Sequence, residues 1–123
     1  MKRVAMIAHD EKKPSLIEFA RTHETQLREY DLVGTGTTGD RLREETALDV
    51  GCKASGALGG DLQVGAEVAD DSIDGLVFLR DPLRAQPHEP DISALMRICD
   101  VHEVPLATNL ASAELLIRGL AES

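Results

Sequence analysis

The sequence predicts a single three-layer α/β/α domain built on a five-stranded parallel sheet, and three observations carry the prediction. Short, almost unbroken apolar runs recur along the chain, segments with helical periodicity lie between them, and the junctions after the runs collect Gly, Thr, Ser, Asp and His. A strand covered on both faces has no polar side to show, so it reads as a continuous apolar run rather than an alternation. Runs of that kind joined through helices make right-handed crossovers, which put helices on both faces of an open sheet.

The first run, Arg3 to Ala8, ends in His9-Asp10. Pro14 suits a first helical position, where its missing N–H leaves nothing unsatisfied. Leu16, Ile17, Ala20 and Leu27 follow at helical spacing, with an irregularity near His23. Tyr30 to Gly34 is the second strand; it opens into Thr35-Gly36-Thr37-Thr38-Gly39, and a polar helix is expected over Asp40 to Thr46. A short strand around Val50 to Ala54 leads to Ser55-Gly56-Ala57-Leu58-Gly59-Gly60-Asp61. Its glycines let the backbone turn sharply and present bare N–H groups to an anion. Leu62 to Asp70 reads as the next helix, with the Asp61 carboxylate at its start.

Gly75 to Leu79 is the clearest central strand. After it, Arg80-Asp81-Pro82-Leu83 and a proline-containing loop reach Pro90. Asp91 is placed to cap a helix that carries Ile92, Leu95, Met96 and Cys99 on one stripe. Pro105 to Ala107 is the fifth strand and Thr108-Asn109 its tip; Ala113, Leu116, Ile117 and Leu120 mark the last helix.

Composition narrows the function. The chain has 123 residues, the size of one domain with a real core, expected to span residues 1–123 without a linker or repeat. Thirteen Lys and Arg against 22 Asp and Glu give a net charge of −9, which argues against nucleic acid and anionic membrane as partners. No apolar run approaches a membrane span, and Met1-Lys2-Arg3 leads directly into a strand, so no signal peptide is expected. Cys52 and Cys99 fit neither a disulfide framework nor a metal cluster, and a reducing cytoplasm is the simplest context.

In open parallel sheets ligands sit beyond the carboxyl ends of the strands. All five strand tips here are polar, and the fold is expected to bring them together. Taken singly, each has an ordinary reading. His9-Asp10 could be a helix-entry pair, Asp61 and Asp91 caps, Asp81 a turn former before Pro82, Lys13 a solvated charge and His88 a surface residue. Thr35 to Gly39 is either a turn with hydroxyl caps or an oxyanion cradle at a helix start. His88-Glu89-Pro90-Asp91 with His9-Asp10 could hold a metal, but no HExxH or CxxC spacing supports that reading, and no metal is expected.

Jointly the pieces resemble one family. Ala8-His9-Asp10 with Lys13, Gly34 to Gly39, Ser55-Gly56 through Gly59-Gly60-Asp61, Asp81-Pro82-Leu83, Pro87-His88 with Pro90-Asp91, and Ala107-Thr108-Asn109 look like methylglyoxal synthase, in order and with compatible spacing from the first strand to the last helix. The resemblance implies a Rossmann- or flavodoxin-like fold. It also implies conversion of dihydroxyacetone phosphate to methylglyoxal and inorganic phosphate in the cytoplasm, without metal or organic cofactor. Asp61 matches the base that takes a proton from the carbon beside the carbonyl, and His88 the group that polarises the carbonyl or moves protons. Asp10 and Asp91 match the other active-site carboxylates, and Asp81 a supporting acid. Lys13, Thr35, Thr37, Thr38, Ser55 and Gly56 match phosphate-binding positions, with His9, Gly36 and Gly60 placed in the same substrate-binding set. A homohexamer, with inorganic phosphate as product and inhibitor, is implied as well.

The chain departs from the family pattern at Arg80, usually apolar or aromatic, at Leu62, often Gln, and at Ala57, often Pro. It also ends at Ser123, short of a tail that in many relatives brings a basic residue to a neighbour's phosphate site, so cooperative inhibition by phosphate is not expected. The competing class is a regulatory module of the same fold, as in carbamoyl phosphate synthetase, binding a phosphorylated effector without chemistry. Such a module keeps a phosphate cradle but has no need of Asp61, His88 and Asp91 together. A receiver-type signalling domain fits less well, because no Lys follows the fifth strand.

Overall fold

The computed structural model describes residues 1–123. Strands β1 (Arg3–Ala8), β2 (Asp31–Thr35), β3 (Val50–Lys53), β4 (Gly75–Leu79) and β5 (Leu106–Ala107) form one parallel sheet in the order β3-β2-β1-β4-β5. The helices are α1 (Lys13–Thr22), α2 (Glu24–Leu27), α3 (Gly36–Glu45), α4 (Gly60–Ala69), α5 (Glu89–Val101) and α6 (Leu110–Glu122), with short 3-10 turns over Asp10–Lys12 and Gly56–Leu58.

The central strands are apolar on both faces because both faces are covered. Along β1, Val4, Met6 and Ala8 point into a core shared with Leu16 and Phe19 of α1, Leu42 of α3 and Ile117 of α6. Ala5 and Ile7 point the other way, into a core with Val64 and Val68 of α4 and Ile92 and Leu95 of α5. In β4, Val77 and Leu79 join the first core, Leu76 and Phe78 the second. Each large side chain so enclosed contributes about 1.5–3 kcal/mol. No helix is long and apolar enough to cross a membrane.

The irregularity expected near His23 is the junction of α1 and α2. Three helix starts differ from expectation. Helix α3 begins at Gly36 rather than Asp40, because tertiary contact overrides the poor propensities of Gly and Thr. A Cβ on Gly34 would lie 2.8 Å from Gly39 Cα, and one on Gly39 would lie 2.7 Å from Cys52 Sγ, so only glycine lets this turn rest on the strands. Helix α4 begins at Gly60, which puts Asp61 in its first turn rather than at a flexible loop end. Helix α5 begins at Glu89; its N-cap is His88, and Asp91 lies inside the first turn instead of capping it.

The chain walks outward from β1 to β3, then returns to the other side of β1 as β4. The carboxyl ends of β1 and β4 therefore flank the switch point where a crevice opens.

Candidate active site

A cavity of about 390 Å³ occupies that crevice, lined from the tips of β1, β2, β3 and β4 and from the loop before α5. His9 follows β1 directly. It is buried, and its Nδ1 accepts the backbone N–H of Asp81 at 2.9 Å, across the β1–β4 pairing. An acceptor nitrogen carries no proton, so the ring is neutral with its hydrogen on Nε2. Burial pushes its pKa down, and the nearby His88 pushes the same way. Nε2 is buried and has no partner within the protein. The ring packs edge-on to Phe78, centroids 5.2 Å apart, and edge-on to His88 at 6.2 Å.

Asp61 is fully enclosed, and neither carboxylate oxygen accepts a hydrogen bond. Its nearest cationic candidate is His88, with Nε2 3.6 Å from Oδ2, too far for a hydrogen bond. Desolvation raises the Asp61 pKa, His88 opposes that rise and Asp91 adds to it. A buried polar group without a partner costs about 1–3 kcal/mol, more when charged, so this arrangement is destabilising unless a group in the cavity beside the gap satisfies the carboxylate. Gly56 forms the floor of the gap. A Cβ there would fall 2.9 Å from His88 Nε2 and 3.1 and 3.2 Å from the Asp61 oxygens.

The other half of the cavity is a donor-rich cradle. Thr35 ends β2 as the N-cap of α3 but makes no side-chain cap bond, so its hydroxyl is not spent on the helix. The N–H groups of Thr37 and Thr38, in the first turn, have no intrahelical acceptor. Gly36 donates its own N–H to Ala54 O (3.2 Å) and adopts φ +48°. A Cβ there would lie 2.7 Å from Ser55 Cα, so glycine brings the β2 and β3 tips into contact. Lys13 closes the cradle, donating to Thr37 Oγ1 at 2.7 Å and to Asp10 Oδ1 at 2.5 Å. That hydrogen bond holds the Asp10 carboxyl below its usual range, although the Asp10 side chain is 92% exposed. Dianion recognition needs this combination of one fixed cation and several directed donors.

The comparisons with known proteins agree with this geometry. The family model described as MGS-like domain matches residues 15–108. The methylglyoxal synthase of Cupriavidus taiwanensis is 57% identical over 119 residues, covering 97% of this chain and 90% of that protein. That of Lysinibacillus sphaericus is 54% identical over 120 residues, covering 98% and 90%. The chain belongs to the methylglyoxal synthase family. Its fold follows suit: the crystal structure of methylglyoxal synthase from Elizabethkingia anophelis superposes with a TM-score of 0.89 at 39% identity, covering 94% of this chain and 76% of that one.

Within this family member, the cavity wall includes His9, Asp10, Lys13, Thr35, Gly36, Thr37, Thr38, Ser55, Gly56, Asp61 and His88. Three residues expected at the site stand behind the wall. Gly60 serves packing: a Cβ on it would lie 1.9 Å from Ala54 O. Asp81 acts through its backbone N–H on His9, while its carboxylate accepts from Leu83 N at 3.0 Å. Asp91 reaches Asp61 only through its charge. The fifth strand tip does not join the others. Asn109 caps α6, its side chain accepting from Ser112 N at 3.0 Å in a capping box, and with Thr108 it lines a different cavity. Ala8, Ala57 and Pro87 line the site from within the family motifs, and Ile7, Phe78 and Gln86, which no motif contained, line it as well. The alternation of β1 and β4 could have indicated Ile7 and Phe78, but nothing local marked Gln86. No group of three or more His, Cys, Asp or Glu side chains is arranged to hold a metal ion.

Proposed function

We propose that the chain is a carbon–oxygen lyase that converts dihydroxyacetone phosphate to methylglyoxal and inorganic phosphate. The observation that carries the reading is Asp61: an enclosed carboxylate with raised proton affinity and no hydrogen-bond partner, facing His88 across 3.6 Å in the cavity that holds the Lys13–threonine cradle.

The chemistry follows from that arrangement. Asp61 takes a proton from the hydroxymethyl carbon, and the electron pair of the broken C–H bond moves into the carbonyl, giving an enediolate. The charge that develops on oxygen needs a donor already in place. His9, neutral with Nε2–H free, and His88 are the donors within the cavity. The hydroxyl of the enediolate then loses its proton, the C–C π pair shifts toward the phosphate-bearing carbon and its C–O bond to phosphate breaks; the resulting enolate takes up a proton on its terminal carbon to become methylglyoxal. Elimination requires the breaking bond to stand out of the plane of the enediolate, whereas an isomerase must keep it in the plane. The cradle of Lys13, Thr35, Thr37, Thr38, Ser55 and the first-turn N–H groups thus has two tasks, neutralising a dianion and fixing its torsion. Asp10 orients Lys13, Asp81 orients His9, and Asp91 raises the basicity of Asp61. By resemblance, the working form is a homohexamer in the cytoplasm.

The test is direct. Pure protein incubated with dihydroxyacetone phosphate should release methylglyoxal and phosphate in equal amounts. Glyceraldehyde 3-phosphate as the main product would indicate an isomerase instead, and no turnover with tight phosphate binding would indicate a regulatory module.

A further inference from the structure

A second cavity, about 530 Å³, lies beyond the tips of β4 and β5, on the side of the sheet that Leu79 faces. It shares no lining residue with the first cavity. None of its lining residues is acidic, although Asp and Glu make up 22 of 123 residues. Two are cations, Lys12 and Arg80.

Both cations are underused. Lys12 is half-buried; its backbone N–H donates to His9 O at 2.8 Å, but its ammonium has no acceptor. Arg80 has an enclosed Nε without a partner, and its closest carboxylate, Glu89, stands 3.7 Å from NH2, beyond hydrogen-bond range. A lysine without a carboxylate beside an arginine that only loosely meets one is unexpected in a chain with a net charge of −9, where Arg3, Lys13, Arg41 and Lys53 each hold a carboxylate at 2.5–2.8 Å. Neutral donors complete the wall. Ser15 and Thr108 bring hydroxyls, and Asn109 spends its Oδ1 on the α6 cap, which leaves its amide NH2 free to donate.

Two cations and three neutral donors around a solvent-filled space suit a tetrahedral dianion, whose oxygens each need a donor and whose charge two cations match. We propose that this cavity is a second oxyanion site of the phosphate class, separate from the catalytic cavity. It rests on residues that take no part in the reaction above, so it stands or falls independently of that reading.

Inorganic phosphate is the probe, with binding followed by equilibrium dialysis. The wild-type protein should bind phosphate at a class of sites that Lys12→Gln weakens roughly tenfold, the loss of one charge-assisted hydrogen bond. Lys12→Gln/Arg80→Gln should abolish that class, while Lys13→Gln leaves it intact. Methylglyoxal formation by the Lys12→Gln protein should stay within about twofold of wild type, as expected for a change outside the cavity that carries the chemistry. The Lys12 side chain has no partner within the fold, so that variant remains informative if the double variant fails to fold. Phosphate binding that Lys12→Gln leaves unchanged, or that only Lys13→Gln weakens, would overturn the proposal. Absence of synthase activity with the Lys12-dependent class present would count against the catalytic reading alone.

Discussion

Gly56→Ala separates the chemistry from the fold. The added methyl would meet His88 Nε2 at 2.9 Å and the Asp61 oxygens at 3.1 and 3.2 Å, all inside the 3.4 Å of ordinary contact. The three atoms are side-chain ends rather than backbone, so the strain is relieved by pushing His88 back by about half an ångström and the carboxylate by somewhat less. Overpacking of this size destabilises by about 1 kcal/mol. The backbone at 56 is not left-handed, so alanine also restricts the unfolded chain, which offsets about 0.4–1 kcal/mol. The two nearly cancel, and the melting temperature should shift by no more than a few degrees. Turnover should fall much further. The methyl presses on both base and histidine and misplaces them, and a misplacement of this order reduces kcat by about 100-fold. Thermal melts, phosphate binding and methylglyoxal release on the same preparation read the three effects separately. A folded Gly56→Ala protein with kcat within about threefold of wild type would refute the assignment of Asp61 and His88 to the reaction.

Other outcomes follow from the same geometry. Asp61→Asn should keep phosphate binding and lose about 10²–10⁴ in kcat, the range of a general base; retained turnover with lost binding would reverse the assignment. The same variant has a pH signature. Burial raises the Asp61 pKa in the folded state, so the ionised carboxylate is the destabilising form, and its stability deficit grows as pH rises through the folded value. Asp61→Asn should therefore melt higher than wild type at neutral pH, and the difference should close below about pH 3.9, where both states of the wild type are protonated. Lys13→Gln removes the bond to Thr37 and should raise KM roughly tenfold with a smaller effect on kcat, read from steady-state rates. Gly60→Ala drives a Cβ to 1.9 Å from a carbonyl oxygen and should destabilise by roughly 3 kcal/mol or more in denaturant melts; a melt within error of wild type would show that the β3–α4 junction can shift.

Strand identity was legible because β1 and β4 are covered on both faces and carry that burial in every residue. The break at His23 was legible for a related reason: the apolar stripe of α1 loses its phase there. Helix starts were not. In α3 the first turn is Gly-Thr-Thr-Gly, and its helicity is imposed by contact with Gly34 and Cys52, which lie elsewhere in the chain. Asp91 looked like a cap from its position before an apolar stripe, but His88 and Glu89 turn the chain earlier. At the site, residues at strand tips could be foreseen once the sheet was parallel. Which tips meet depended on strand order: β5 lies outermost, beyond β4, and its Thr108-Asn109 tip faces the Lys12–Arg80 cavity instead. Gln86 was hidden because a loop position has no periodicity to reveal which way it faces.

The bond from Asp81 N–H to His9 Nδ1 comes from the main chain, and every residue but proline carries that donor. Mutational drift at position 81 therefore leaves the imidazole's tautomer untouched, whereas a side-chain donor in the same role would be lost to a single nucleotide change. The donor's location is set by the alignment of Ala8, one residue before His9, with Leu79, two residues before Asp81. Heredity of the ring's protonation pattern thus lies with the pairing of the two middle strands, and a one-residue slip between them would silence His9 without altering a single side chain.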